Sequence, residues 1–474
     1  MAGRPGEQEA NVGDRLIFQL GTNNWQRGGE FAPGSGILHE AHHHAYNALP
    51  GMRCYSMYPS KRQRFRDEDV RVFALEHDIP ICESISPVSN YRWHSMSEAE
   101  VDAYRQRLTG EVADWIDEIE AGTDDRFELA IAHHGFMNTV VMRDVIRRRA
   151  AAGRGTMPLL CFAHGTELKM YVNEKRADNP EEFPLRFLPF MQREKIFDYA
   201  DPEHGVDVVA SISAEQIEAL VGVFPEFPRE RVVLSHNGYN QEVFHRLTEP
   251  TDVYADRARV LAGFTTQPYE GSSRAPEPVT PADGFDAVVA FCGKFADWKR
   301  LDALLHAAAI YEREHEKRIL TLVAGSGPHE AQVQLQDLAA ELGLRRTYFV
   351  GPRPQDELAV LFNCADVGCF PSYKEPFGLV FIECMACGTP VIGADSGGPR
   401  DFVTPEVGVL VAETDDRQAL AASLAAAVGR AVDENWKQTK GVTAEAYARE
   451  NFSVVGQVSK LLETVDRLTG ADAR

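Results

Sequence analysis

The sequence lacks any run of about 18 apolar residues, the length at which a helix can cross a bilayer. Its polar N-terminus, MAGRPGEQEANVGDR, has no apolar segment of the kind found in secretory leaders. We therefore expect a cytoplasmic protein without stable membrane association. The 474 residues exceed the length of one ordinary domain and suit two large ones.

Positive charge is also scarce. The chain has 49 Lys and Arg residues against 71 Asp and Glu residues, which gives a net charge of −22. This balance argues against nucleic acid and against anionic membrane surfaces as partners. A phosphate-bearing ligand would therefore need local cations and backbone amides.

Cysteine and histidine offer little evidence of a metal site. Most of the eight cysteines stand singly in apolar stretches, and the one C-x-x-C pair, Cys384 and Cys387, has no second pair at zinc-ligand spacing. We expect buried core thiols. The successive residues His42, His43 and His44 would point about 100° apart on a helix, so they cannot share one ion. We expect them on a partly exposed helix face, where one of them could line a site.

Short apolar runs alternate with helical stretches along the chain. Buried parallel strands are predicted in the first half at residues 15–20, 127–131, 159–162 and 206–210. Residues 265–285 break the rhythm with Pro, Gly and Ser and are predicted to form an interdomain linker or a surface loop. Further strands are predicted at residues 288–291, 319–323, 348–350, 367–370, 390–392 and 409–411. This alternation is typical of two doubly wound α/β domains that bind ligands at the carboxyl ends of their strands.

The most informative segment is PSYKEPFGLVFIECMACGTPV, residues 371–391. A strand is predicted to end at Pro371, and a helix to begin near Leu379. Gly378 would let the backbone approach a ligand, and the free amides of the helix start would hold a diphosphate. Glu383, one turn into the helix, could accept hydrogen bonds from both hydroxyls of a ribose. Glu375 precedes the helix, at the level where a sugar attached to the diphosphate would lie.

This segment resembles the E-x7-E signature of glycosyltransferase family 4, whose members are retaining enzymes of GT-B architecture. The resemblance extends from about residue 288 to residue 411 and includes CGK at 292–294, WKR at 298–300, AGSG at 324–327, FVG at 349–351, DEL at 356–358 and SGG at 396–398. It implies an N-terminal Rossmann-like acceptor domain (1–264), a C-terminal Rossmann-like nucleotide-sugar domain (285–450) and a C-terminal helix (451–474) that packs back on the first domain. Apolar residues at helical spacing support that last helix: Val455, Val458, Leu461, Leu462 and Val465.

The same resemblance implies roles for individual residues. Lys294 and Lys299 would neutralise the diphosphate, although family members often carry Arg at the first position, and lysine lacks its bidentate fork. Arg353 would lie near the nucleotide base. The implied donor-binding residues are Lys294, Lys299, Arg353, Glu375, Phe377, Gly378, Leu379 and Glu383.

The N-terminal half resembles the family less. Gly34, Ser35 and Gly36 precede a predicted helix where the family has a Gly-Gly loop near the phosphates; Gly28-Gly29 and a plain loop are alternatives. His164 stands where related enzymes place a histidine against the donor sugar, so the implied catalytic residues are His164, Lys299 and Glu375. His134 follows another strand and could contact the acceptor. The NGYN segment at 237–240 is interpreted as structural.

The resemblance and these residues together imply a retaining transfer of a sugar from a nucleotide-diphosphate sugar to a small-molecule acceptor, without a metal. No D-x-D motif lies in a suitable loop, so we expect no essential metal and no other cofactor. Three alternatives remain: a pseudo-glycosyltransferase that couples a nucleotide-linked cyclitol, a non-hydrolysing sugar-nucleotide epimerase, and a catalytically silent sugar-nucleotide-binding protein.

Overall fold

The structure is a computed structural model that describes residues 14–25, 34–60, 63–75, 96–168, 171–172, 187–200, 205–250 and 252–470. Its strands form two separate parallel sheets, one in each half of the chain. Over the ranges given above, every helix falls short of the length and apolarity that a bilayer crossing requires.

The N-terminal sheet has seven parallel strands in the order β3-β2-β1-β4-β5-β6-β7. The strands are β1 (Arg15–Leu20), β2 (Met52–Ser60), β3 (Val70–Ala74), β4 (Phe127–His133), β5 (Leu159–Ala163), β6 (Val208–Ser211) and β7 (Val232–Leu234). The helices of this half are α1 (Gly34–Asn47), α2 (Glu98–Ala121), α3 (Met137–Ala151), α4 (Phe187–Glu194) and α5 (Ala214–Val223). Every residue of β5 and β6 is buried, as expected for the central strands of a parallel sheet covered on both faces.

The C-terminal sheet has six parallel strands in the order β10-β9-β8-β11-β12-β13. The strands are β8 (Ala287–Cys292), β9 (Ile319–Ala324), β10 (Thr347–Gly351), β11 (Val367–Phe370), β12 (Val391–Ala394) and β13 (Gly408–Val411). The helices that precede, connect and follow them are α6 (Arg257–Leu261), α7 (Leu301–Glu314), α8 (His329–Glu341), α9 (Gln355–Cys364), α10 (Leu379–Ala386), α11 (Arg417–Asp433), α12 (Trp436–Thr439), α13 (Gly441–Asn451) and α14 (Val454–Thr469).

Both sheets have the topology of a Rossmann-like domain, which confirms the predicted fold class. The strand order reverses between β1 and β4 in the first sheet, and between β8 and β11 in the second. Loops that follow strands on either side of such a reversal diverge and leave a crevice at the carboxyl edge of the sheet. These two crevices are where ligand-binding residues are expected.

The Pro- and Gly-rich segment 265–285 lies against the C-terminal sheet. The amide of Gln267 donates to the carbonyl of Phe349 in β10 at 2.7 Å, and the hydroxyl of Tyr269 donates to Asp337 of α8 at 3.3 Å. Val279 is fully buried in the core of the same half. These contacts make the segment a surface loop of the C-terminal sheet, while the domain boundaries at 264 and 285 stay predictions.

The last helix, α14, packs against α1 of the N-terminal half. Arg15 at the start of β1 donates to the Asp466 carboxylate of α14 at 2.6 Å. Val458, Leu461, Leu462 and Val465 are buried as their spacing predicts. The expectation for Val455 is wrong, because it is 41% exposed while its neighbour Val454 faces inward.

The histidine run of α1 also differs from expectation. His42 and His43 are buried and only His44 is exposed, so this face of the helix lies against the sheet and not in solvent. The ring of His42 packs 5.0 Å from that of Phe162, and His43 Nδ1 lies 2.7 Å from the Ser56 hydroxyl. The Ser56 hydroxyl gives His43 a polar partner, whereas His42 Nδ1 has no hydrogen-bond partner among the described residues and its ring packs on Phe162.

Candidate functional site

A cavity of about 720 Å³ lies between the two halves, bordered by loops that follow β1, β4 and β5 on one side and β8, β10 and β11 on the other. Most of the residues singled out by sequence line it: Gly34, Ser35, His134, His164, Lys299, Arg353, Glu375, Phe377, Gly378, Leu379 and Glu383. Lys294 and Gly36 do not, and Lys294 is exposed to solvent. Residues separated by more than 300 positions in sequence thus share one cavity.

An ion pair marks the centre of the C-terminal wall. Lys299 Nζ lies 2.6 Å from Glu375 Oε2, and the two side chains are 12% and 9% exposed. Lys299 ends a 3₁₀ turn (Asp297–Lys299) after β8, and Glu375 lies in the loop after β11. The two strands flank the reversal of strand order, so the pair spans the crevice expected there.

The Glu375 loop is held in place by the loop that follows β12. The Gly398 amide donates to the Glu375 carbonyl at 2.7 Å, and the Lys374 amide donates to the Ser396 hydroxyl at 2.9 Å. Gly397 has φ +77°, and a Cβ there would lie 2.2 Å from the Glu375 carbonyl oxygen. Only glycine permits this approach, so the SGG segment supports the backbone of Glu375.

Helix α10 points its N-terminus at the cavity. Gly378 precedes it with φ +100°, a left-handed conformation that glycine adopts at little cost, and no side chain among the described residues caps the first amides. Because Gly378, Leu379 and Val380 all line the cavity, these amides and the positive end of the helix are available to an anion.

Glu383 lies one turn into α10 and lines the same cavity. Its carboxylate makes no hydrogen bond to a residue in the part of the chain that the structure describes, and burial raises its pKa to about 7. The thiol of Cys292 also lines the cavity; burial, together with the nearby Glu383 carboxylate, raises the pKa of Cys292 to about 12. Cys292 is therefore a residue of the cavity wall and not the core thiol expected from sequence.

Arg353 is fixed at the edge of the cavity. Its guanidinium donates to the carbonyls of Val350 and Thr265 at 2.8 and 2.9 Å, and it pairs with Glu357 at 3.1 Å. These bonds occupy donors from all three of its nitrogens and stabilise the end of β10. Arg353 therefore offers a ligand the flat face of its guanidinium more readily than new hydrogen bonds.

On the N-terminal side, α1 directs its first turn at the cavity. The helix begins at Gly34, so Gly34, Ser35 and Gly36 form its first turn and do not precede the helix as expected. Asn23, from the loop after β1, donates to the Ser35 hydroxyl at 2.6 Å and lines the cavity as well. The alternative pair Gly28-Gly29 lies outside the described residues.

His134 and His164 complete this wall. They follow β4 and β5, and their ring centroids are 4.7 Å apart. Burial is the main cause that lowers the pKa of each imidazole, so both are neutral at physiological pH.

Sequence reasoning missed other cavity residues. Asn23, Thr166 and Asn237 line the cavity, and none of them was predicted to contact a ligand. In the NGYN segment the structural interpretation holds for Gly238, where a Cβ would lie 2.5 Å from Val454 Cα, but the Asn237 side chain faces the cavity. Its place in the NGYN segment was the one available signal.

The two halves also contact each other beside the cavity. Glu215 in the first turn of α5 accepts from the Gly397 amide at 3.0 Å, and Asp401 accepts from the Ala214 amide at 2.8 Å. Burial alone would raise the pKa of Asp401. The His236 imidazole, 3.5 Å away, and the hydrogen bond from the Ala214 amide hold that pKa below its ordinary value. The loop that supports Glu375 is therefore itself bound by the N-terminal half.

Comparison with known proteins gives the cavity a chemical context. Residues 277–439 match the family described as "Glycosyl transferases group 1". The chain is 36% identical over 190 residues to the D-inositol 3-phosphate glycosyltransferase of Corynebacterium efficiens, covering 39% of this chain and 44% of the relative. It is 33% identical over 318 residues to the D-inositol 3-phosphate glycosyltransferase of Thermobispora bispora, covering 63% of this chain and 66% of the relative. The chain thus spans about half the length of the first curated relatives it matches.

Solved structures share the fold over nearly the whole chain. Sucrose-phosphate synthase from Thermosynechococcus elongatus aligns with a TM-score of 0.60 at 20% identity, covering 96% of this chain and all of its own. The Anabaena protein HepE, solved in complex with UDP and glucose, aligns with a TM-score of 0.60 at 18% identity. The alignment covers 96% of this chain and 100% of HepE. Residues 277–439 therefore resemble the glycosyl transferases group 1 family, and nearly the whole chain shares the fold of these solved GT-B glycosyltransferases.

Proposed function

We propose that this chain is a retaining glycosyltransferase that moves a sugar from a nucleotide-diphosphate sugar to a small-molecule acceptor without a metal ion. The observation that carries the proposal is the Lys299–Glu375 pair beside the uncapped N-terminus of α10, inside the cavity between the two halves. This arrangement places a cation, free amides and a carboxylate where a diphosphate and its sugar would lie together.

The donor would bind mainly to the C-terminal wall. Lys299 and the first amides of α10 would hold the diphosphate, and the first turn of α1 would approach it from the other side. Glu383, which has no partner among the described residues, would accept the ribose hydroxyls. Since one structural neighbour was solved with UDP, we propose a uridine nucleotide as the first donor to test.

During transfer the bond between the sugar and the diphosphate breaks, and negative charge grows on the leaving phosphate. Lys299 and the helix amides stabilise that charge. Glu375 is already neutralised by Lys299, which makes its carboxylate a weak nucleophile. We therefore propose that the acceptor hydroxyl attacks from the face the diphosphate leaves and gives its proton to a phosphate oxygen, so that the anomeric configuration is retained.

The acceptor would lie against the N-terminal wall, near His134 and Thr166. The curated relatives are named for D-inositol 3-phosphate, which makes it the first acceptor to test. The described N-terminal residues that line the cavity include no Lys or Arg, so D-inositol should be compared with its phosphate under the same conditions.

The test begins with UDP, GDP, ADP and dTDP in a thermal-shift panel, followed by calorimetry. Ligand at a hundredfold excess over Kd should stabilise the folded protein by about 2.7 kcal/mol. Glu383→Ala should weaken nucleotide binding by about 1–3 kcal/mol, because charge-assisted hydrogen bonds to ribose are lost. Incubation with the matching nucleotide sugar and inositol acceptors should give a product whose anomeric proton coupling matches that of the donor. An inverted product, isomerised donor without transfer, or nucleotide binding unchanged in Glu383→Ala would contradict the proposal.

A further inference from the structure

Six buried histidines lie beneath the N-terminal wall of the cavity: His39, His42, His43, His133, His134 and His164. Two of them, His134 and His164, line the cavity, and His133 lies directly behind them with its ring centroid 5.1 Å from that of His164. A neutral imidazole carries its proton on one of two nitrogens, and its neighbours decide which. The hydrogen bonds around these rings settle that question.

The chain of hydrogen bonds begins at Gln19 in β1. Its amide nitrogen lies 3.2 Å from the carbonyl oxygen of His39 and 2.8 Å from the Ser56 hydroxyl. A carbonyl oxygen can only accept, so the Gln19 amide must turn its NH₂ group toward His39. The Gln19 Oε1 atom then faces the opposite way, 3.3 Å from His133 Nε2.

This orientation fixes the proton of His133. Because Gln19 Oε1 can only accept, His133 Nε2 must carry the hydrogen that it donates. Burial lowers the pKa of His133 well below its ordinary value, so the ring is neutral and its Nδ1 is unprotonated. His133 Nδ1 lies 2.9 Å from His164 Nε2. His164 must therefore donate through Nε2–H, which leaves its Nδ1 as a bare acceptor.

Thr22 imposes the corresponding order on His134. The Thr22 hydroxyl donates to the carbonyl of His133 at 3.0 Å, and the same hydroxyl oxygen accepts from the Asn138 amide at 3.0 Å. The hydroxyl has a single proton, so the contact of 3.0 Å with His134 Nδ1 is a bond that the histidine donates. His134 Nε2 is then the unprotonated nitrogen. Neither His164 Nδ1 nor His134 Nε2 bonds to another residue in the described part of the chain.

We propose that His133, oriented by Gln19, and Thr22 are positioning residues that lock His164 as the Nε2–H tautomer and His134 as the Nδ1–H tautomer. Two unprotonated ring nitrogens are then offered on adjacent cavity residues. A hydroxyl can donate to such a nitrogen, whereas a carboxylate or phosphate oxygen has no proton to donate and is repelled. This wall therefore selects ligands that present hydroxyls there and disfavours those that present an acidic group.

The proton placement is tested directly in the ligand-free 474-residue protein labelled with ¹⁵N at the histidine rings. Long-range ¹H–¹⁵N correlation spectra distinguish the two neutral tautomers, and loss of one signal set in His164→Gln and in His134→Gln assigns each ring. We expect protonated Nε2 at His164 and His133 and protonated Nδ1 at His134. An Nδ1–H tautomer at His164, or a charged His133, at pH 7.5 overturns the proposal.

Variants then show that His133 acts through His164. His133→Phe keeps a ring but removes the acceptor, so the His164 signals should shift toward a tautomer mixture. His42→Phe is the control, because its ring packs against the same Phe162 and His133 but forms no part of the chain and does not line the cavity. Its His164 spectrum should match that of the unchanged protein. If His133→Phe fails to fold, the spectrum of the unchanged protein decides alone.

The consequence for ligand choice rests on the proposed function and is measured separately. With nucleotide diphosphate bound, D-inositol should bind at least about tenfold more tightly than D-inositol 3-phosphate, because a hydroxyl donates to an unprotonated ring nitrogen whereas a phosphate oxygen meets it as a second acceptor. His133→Phe should reduce that ratio, and His42→Phe should not. If neither inositol compound binds, the proposed function fails while the tautomer result stands; equal binding with the expected tautomers overturns the selection of hydroxyls.

Discussion

The Lys299 ammonium and the Glu375 carboxylate lie 2.6 Å apart at the carboxyl edge of the C-terminal sheet. Each comes from a loop beside the reversal of strand order, one after β8 and one after β11. Their pairing fixes the Lys299 side chain at the cavity wall, so little reorganisation is needed when a diphosphate binds. Preorganised charge of this kind contributes most when negative charge develops during the reaction.

Lys299→Met is therefore expected to lower kcat by about 10²–10³, as removal of a preorganised donor to a developing oxyanion does. Affinity for the nucleotide diphosphate should fall less, because the amides of α10 remain. Steady-state kinetics and calorimetry separate the two effects. In Lys294→Met, at an exposed position outside the cavity, the loss of kcat should be at least about tenfold smaller than in Lys299→Met. Equal losses in the two variants would contradict the role of Lys299.

Glu383 should make the ligand-free protein less stable as pH rises. Its pKa increases from 4.5 to about 7 on folding, so the folded state binds more protons between these values and loses stability as pH passes through them. Glu383→Gln removes the titrating group. From pH 5 to pH 8 the free energy of unfolding of Glu383→Gln should rise by about 1–3 kcal/mol relative to that of the unchanged protein. This range is smaller than the full pKa shift implies, because water in the cavity weakens the effect of burial. Urea denaturation of both proteins at pH 5 and pH 8 measures this difference. The same pH dependence of stability in both proteins would refute the raised pKa of Glu383.

The C-terminal site could be predicted because its signals are local. One continuous segment carries Glu375, Gly378 and Glu383, and the strand at 367–370 and the helix start at Leu379 were predicted at their observed positions. The strand and helix periods determine these elements, and the turn glycine determines where the chain changes direction.

The N-terminal wall could not be predicted in the same way. Gln19 and His133 are 114 residues apart, and His133 and His164 are 31 apart, so their contacts depend on which strands become neighbours. Hydrophobic periodicity marks the apolar face of a helix, and it gave no reason to bury His42 and His43. Their burial depends on Ser56 for His43 and on the ring of Phe162 for His42, and only the assembled sheet brings these residues against α1.

The contact between Glu215 and the Gly397 amide should order the loop that supports Glu375. In Glu215→Ala that amide loses a charged acceptor, worth about 1.5–3 kcal/mol when shielded and less at this partly exposed position. Hydrogen exchange should become faster at residues 395–400 in the variant. Glu218→Ala provides the control on the same helix, because Glu218 pairs with Arg229 and not with the C-terminal half. Equal exchange in both variants would show that the contact does not order the loop.

The packing of α14 on the N-terminal half should contribute directly to stability. Leu461 is 3% exposed, and Leu461→Ala is expected to cost about 2–5 kcal/mol through lost burial and a residual cavity. Val455→Ala, on the same helix but 41% exposed, should change stability by less than about 0.5 kcal/mol. Guanidinium titration of both variants tests the comparison, and similar losses would mean that the helix does not pack as the structure places it.

Glycosyl transfer by this protein is expected to persist in excess EDTA. A divalent ion assists other transferases by neutralising the diphosphate, and here Lys299 together with the positive ends of α1 and α10 would supply that charge. An added ion would compete with Lys299 for the same phosphate oxygens, so Mg²⁺ or Mn²⁺ should leave the rate of the chelator-treated enzyme unchanged or lower it. The decisive comparison is Lys299→Met assayed with and without Mg²⁺, because an ion could partly replace the missing charge in that variant alone. Activity that collapses with EDTA in the unchanged protein and returns with Mg²⁺ would show that a metal is part of the site.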